Sequence, residues 1–241
     1  MTEDEDRWLN GTDPLALLHA RHPMHTLGSV EPQRRQSRMY LLACARRAWA
    51  RLPAVCRALV ELAEWCADAR DGGPLFQEAA LIAARLLTAD GEPGELGEAA
   101  AELNRHLEAH GRTVPAPSAA PIPKLDPEEW RGLSALVYLP FDTHTPNFRW
   151  VPPVLHDAHL IREVYGNPYR RVPFDAQWRT GTAVELARGM YDRREFSAMP
   201  ILADALQDAG CTEAAVLTHC RDTSRVHARG CWVLDLVLNL R

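Results

Sequence analysis

Lysine is nearly missing from this sequence: Lys124 is the only one among 27 basic residues. The others are arginines in a chain rich in Ala, Leu and Pro, a bias that high-GC coding produces without any selection for phosphate binding. Positive charge is not in excess either. The formal net charge is −5, which argues against a strongly cationic nucleic-acid binder. No apolar run approaches the ~18 residues that a membrane-spanning helix needs. Residues Met1–Asp6 are acidic and lack the basic-then-apolar order of a signal peptide, so a cytoplasmic protein is expected. Three standard catalytic patterns are absent: G-x-x-x-x-G-K-S/T, G-x-G-x-x-G and G-x-S-x-G. Their absence argues against the ordinary nucleotide, dinucleotide and α/β-hydrolase chemistries.

What is present is globular composition, with 46% hydrophobic and 24% charged residues in 241. That excludes wholesale disorder and a fibrous repeat, and allows one large domain or two small ones. The pattern is helical throughout. Thr2 with Glu5 fits a capping box, and Asp13-Pro14 fits an N-cap followed by proline at the first helical position. Stripes at offsets of three and four residues follow at Leu41, Ala45, Ala48 and Leu52, at Val55, Leu59, Leu62 and Cys66, and at Leu75, Ala79, Ile82 and Leu86. A further helix is expected over 96–110.

Later helices are expected from Asp126-Pro127 to about Leu139, from Val154 to Tyr165, from Thr182 to Arg193, over 198–209, and from Thr212 to Arg221. The apolar run Cys231–Leu240 fits a strand or a buried helix by periodicity. We read it as helix because no strand partner is visible. The expected fold is therefore all-α, an irregular antiparallel array of about nine to ten helices. Four prolines between Thr113 and Lys124 mark a semi-rigid linker over 112–124. It divides residues 1–111 from 125–241, two helical parts expected to pack as one unit.

The six cysteines are expected to be reduced thiols. Cys44, Cys56 and Cys66 fall in apolar helical stripes and read as core residues. The other three lie in the one tract with metal-ligand composition: Cys211, His219, Cys220, His227 and Cys231. Thiolates and imidazoles suit zinc. The tract lacks a C-x-x-C knuckle, and His219 and Cys220 would point about 100° apart on a helix. The metal candidates are thus Cys211, His219, His227 and Cys231. His227 and Cys231 would share a face if their segment were helical. The competing reading is plain packing of the thiols. A Cys–His nucleophile is the other chemical reading, with Cys231, a base at His219 or His227, and Asp222 or Asp235 as orienter.

Weaker clusters are Asp142, His144, His156, Asp157 and His159, and the trio His19, His22 and His25. Arg34, Arg38, Arg47 and Arg51 line one basic helix face, a candidate anion or nucleic-acid contact.

Several segments are familiar together. They are WLNGTDPLAL (8–17), MYLLACARRAWARL (39–52), GNPYRRV (166–172), ILADALQDAGC (201–211), HCRD (219–222) and HARGCWVLDLVL (227–238). Jointly they resemble a family of uncharacterised bacterial proteins, abundant in planctomycetes and found also in actinomycetes. The resemblance covers the two ends of the chain. It implies that both ends belong to one unit, with the proline-rich middle as an insertion. It also places His219, Arg221, His227, Arg229, Cys231 and Trp232 in the family's C-terminal pattern, without implying an activity.

Three functions remain open from sequence. The first is a non-enzymatic module that binds another protein or regulates it. The second is a metal-dependent or Cys–His enzyme, with zinc the one candidate cofactor. The third is an anion binder using the arginine face.

Overall fold

Thr2 opens the first helix as its N-cap, accepting the Glu5 backbone N–H at 3.2 Å. This helix is α1 (Glu3–Asn10). Asp13 does the same for α2 (Pro14–Arg21), accepting from Leu15 and Ala16 at 2.9 and 3.3 Å. In the computed structural model, residues 2–21, 31–69, 73–111, 125–141, 151 and 153–240 are described. Twelve α-helices, and no strand, occur among the described residues, slightly more helices than expected. None of these helices is long and apolar enough to cross a membrane. The expected linker over 112–124 lies outside the described residues, as do His22, His25, Asp142 and His144.

The chain forms two compact units, one made of residues 1–32 and 157–241, the other of 33–156. The second unit holds α3 (Glu31–Arg47), α4 (Ala54–Ala69), α5 (Pro74–Thr88), α6 (Pro93–Ala109) and α7 (Pro127–Tyr138). The three apolar stripes read from sequence are all buried. Helix α5 packs against α4, α6 and α7. Arg46 clamps the buried Glu64 with two bonds, of 2.9 and 2.8 Å. Trp130 donates its indole N–H to the Ala89 carbonyl at 2.7 Å.

The first unit joins the two chain ends through α8 (Ala158–Tyr165), α9 (Gly181–Arg193), α10 (Met199–Asp208), α11 (Ala214–Arg221) and α12 (Trp232–Leu238). Helix α8 starts at Ala158, not Val154, because Asp157 caps it by accepting from His159 and Leu160, while Pro153–Leu155 form a separate 3-10 turn. Helix α9 is capped by Thr180 rather than Thr182, and Thr212 caps nothing: the N-cap position of α11 is Glu213. The last apolar run is a helix, as read. Helix α12 packs on α8, α9 and α11, and α10 packs on α9 and α11.

The N-terminal segment is tied to the end of α8 by polar contacts. Trp8 Nε1–H donates to the Gly166 carbonyl at 2.9 Å, Arg162 Nε–H donates to the Trp8 carbonyl at 2.6 Å, and buried Glu5 accepts from Asn167 and Arg170. Gly166 has φ +66° and ψ −150°, a region that only glycine adopts readily, and a Cβ there would sit 3.2 Å from the Trp232 ring. Gly166→Ala should therefore lower stability by about 1–3 kcal/mol. Chemical denaturation of the full chain measures this.

Candidate metal centre

A glutamate that sequence reading passed over lies at the heart of the first unit. Glu163 sits on the inward face of α8, one turn beyond Leu160, and its side chain is fully buried. A lone carboxylate in an apolar stripe is costly unless cations or donors meet it. Three side chains do so. His219 projects from the last turn of α11, His227 from the loop after it, and Cys231 from the N-cap position of α12.

The four side chains present their donor atoms within 4.8 Å of one another. His227 Nδ1 lies 3.0 Å from Glu163 Oε1. His219 Nε2 lies 3.4 Å from Glu163 Oε2 and 3.2 Å from Cys231 Sγ. A tetrahedral zinc ion with bonds of ~2.0–2.3 Å holds neighbouring donors about 3.3–3.7 Å apart. Three of the donor pairs, at 3.0, 3.2 and 3.4 Å, are close to that, and the whole group lies within 4.8 Å.

His227 and Cys231 do not share a helix face, as their spacing had suggested. The chain between them turns instead, with Gly230 at φ +89° and Cys231 N–H bonded to the Ala228 carbonyl at 3.0 Å. Trp232 completes the surroundings: its indole N–H donates to His219 Nδ1 at 3.1 Å, with the rings edge to face.

The electrostatics fit an anionic core. Burial pushes the Glu163 carboxyl up, but hydrogen bonds from His219 and His227 outweigh it and hold the group down at about 2. Burial pushes the His219 imidazole below its ordinary value, against the pull of Glu163. Burial first, then the Glu163 charge, push the Cys231 thiol well up. Glu163 Oε2 is buried and has no well-directed hydrogen bond. His219 has one Nε2 proton to offer two neighbours, the carboxylate and the sulfur. An ion among these donors would satisfy both, so the residues present fit a metal.

The other candidates fall elsewhere. Cys211 is buried outside the group, and Cys220, one residue from His219, points away to line a cleft with its thiol pushed up to about 12 by burial. Arg221 bonds to Asp204 and Gln207 on α10, and Arg229 lies over the Tyr191 ring at 4.6 Å. Neither reaches the centre. Asp222 is engaged with Ser224 and Arg225, so it orients no catalytic base.

Among the described residues, the remaining histidines join no group of metal-ligand type. His156 bonds to Tyr40 at 2.8 Å, and His159 and His19 are exposed. On the basic face, Arg51 pairs with Glu129 and Arg38 lies over the Phe76 ring at 5.0 Å. Arg47 is exposed, and the Arg34 side chain is outside the described residues.

Cys231 stands at hydrogen-bond distance from a base, yet it is fully buried and its thiol is pushed up rather than down. A nucleophile needs the reverse of both. Glu163 was missed because its neighbours Leu160, Ile161 and Val164 read as an ordinary apolar face. The usable signal was the charge interrupting that face.

No family model, curated protein or solved structure matches the chain.

The depressed value of His219 has a consequence for metal-free protein. Its contribution to stability is present above the ordinary histidine value of 6.5 and is lost as pH falls through the lower folded value. Glu163, depressed from 4.5 to about 2, acts in the same direction at lower pH. Urea-unfolding free energy should fall as pH drops from about 7 toward about 2, and His219→Gln should flatten the upper part of that fall.

Proposed function

We propose that this chain is a non-enzymatic helical protein whose first unit is organised by a closed zinc centre of Glu163, His219, His227 and Cys231. The observation that carries the reading is the convergence of four ligand-type donor atoms within 4.8 Å, among them a buried carboxylate whose second oxygen has an ion-pair neighbour but no hydrogen bond. Structural zinc sites take all four ligands from the protein, whereas catalytic ones keep a position open. Here four protein donors are present, and the side chains are 0–6% exposed. The ligands come from α8, α11, the following loop and the start of α12, so an ion would join segments 56 residues or more apart, from Glu163 to His219 and beyond. Binding and folding of this unit are then linked. A closed centre leaves the work of the protein to its surface, which is where a protein partner would engage.

One observation favours a second reading, a metal-dependent enzyme. A cleft of about 520 Å³ reaches His227 and is lined also by Arg194, Glu195, Asp222 and Arg225. Catalysis there requires one of the four ligands to yield its place to substrate.

Purified protein should carry about one equivalent of zinc, and a chelator should lower its melting temperature. Glu163→Ala and Cys231→Ser should each lose most of that metal, while Cys211→Ser keeps it. Less than one-tenth of an equivalent, with melting unchanged by chelator, overturns the zinc reading. Cobalt substitution separates the two readings: the visible spectrum of a closed site is unmoved by azide, and a site with an open position shifts.

A further inference from the structure

His219 and His227 are not equivalent as ligands. Each presents one ring nitrogen to the centre: Nε2 of His219 and Nδ1 of His227. An imidazole that ligates through one nitrogen carries its proton on the other, and ordinarily donates it to an acceptor. His227 meets this condition freely, because it lines the cleft and its remaining nitrogen has no protein partner among the described residues.

His219 does not. Its remaining nitrogen, Nδ1, is met at 3.1 Å by the indole N–H of Trp232. An indole nitrogen only donates. The bond therefore fixes the lone pair on Nδ1 and the proton on Nε2, the nitrogen that faces Glu163 and Cys231. This is the reverse of the arrangement that a metal needs.

We propose, resting on the zinc reading above, that Trp232 is a gate on the centre: zinc enters only as the Trp232–His219 bond breaks. The balance is simple. Zinc displaces the Cys231 thiol proton, which leaves to solvent. At His219 the proton also leaves Nε2, whose freed lone pair bonds the zinc, and one proton is taken up at Nδ1, so the ring stays neutral and the net release is one proton. Two hydrogens then face each other where one bond had been, and the indole must turn away. Removing both protons, to leave an anionic ring, is the costlier alternative near neutral pH. Trp232 has little room to move without consequence, since it packs against Gly166, whose carbonyl accepts from Trp8. The metal state of the centre is thereby passed to the turn that holds the N-terminal helix.

The full-length protein tests this in two ways. Zinc affinity of wild type and Trp232→Phe is compared by competition with a chromophoric chelator. The variant, with no N–H to displace, should bind roughly tenfold more tightly. In the wild type, the Trp232 indole N–H resonance, assigned by its contacts to His219, should shift upfield and exchange faster with solvent once zinc saturates. That second measurement needs no variant, and it decides the matter if Trp232→Phe does not fold. An indole resonance that keeps its position and protection, or a folded variant that binds zinc no more tightly, overturns the gate. Failure of both proteins to take up zinc overturns the zinc reading beneath it.

Discussion

The first unit depends on how one buried negative charge is met. Glu163 is fully enclosed by α8, α11 and α12, and an isolated carboxylate there would cost a large share of a domain's stability or be forced into its neutral form. Two imidazoles and a thiol surround it instead, all drawn from one 13-residue stretch that runs from α11 to the start of α12. Their arrangement orders much else in the unit. It spans the last turn of α11, the bend at Gly230 and the start of α12, and Trp232 packs between His219, edge to face, and the turn at Gly166.

Protein donors meet that charge only in part. His227 satisfies one carboxylate oxygen, while the other shares the single His219 proton with a sulfur atom. The same atoms that are short of protons are well spaced for a metal ion. Acid groups, imidazoles and a thiolate are each ordinary zinc ligands, and a dication would neutralise the carboxylate and the thiolate together. This is the physical reason to read the group as a centre for an ion rather than as a polar knot in a core. The raised thiol points the same way: Cys231 is a poor nucleophile in this setting, while a metal ion stabilises the thiolate that burial disfavours.

The helices were largely legible in the sequence because their cause is local. Apolar stripes such as Val55, Leu59, Leu62 and Cys66 are buried as their spacing requires, and Thr2, Asp13 and Asp126 cap the helices they precede. Errors fell at starts where two capping residues compete. Thr180 prevails over Thr182, and Asp157 over the turn at Pro153, because only one candidate meets the helix in extended geometry with its oxygen over the first amides. The all-α architecture needed no more than this. Of the C-terminal residues singled out from sequence, His219, His227, Cys231 and Trp232 gather in space, while Arg221 turns to α10 and Arg229 lies over the Tyr191 ring.

The site was legible only by halves. His219, His227 and Cys231 lie within 13 residues, so local composition exposes them. Glu163 lies 56 residues before His219 and reaches the group only through the packing of α8 on α12. Cys211 shows the converse: it is close in sequence and absent from the group. Spacing arguments also assumed one helix under His227 and Cys231, whereas a glycine turn presents them. The measurement that reaches the central claim most directly is X-ray absorption at the zinc edge of the purified full-length protein. The account predicts a four-coordinate ion with one sulfur and three nitrogen or oxygen neighbours, two of them imidazoles. An ion with only oxygen and nitrogen neighbours, or no bound zinc at all, contradicts it.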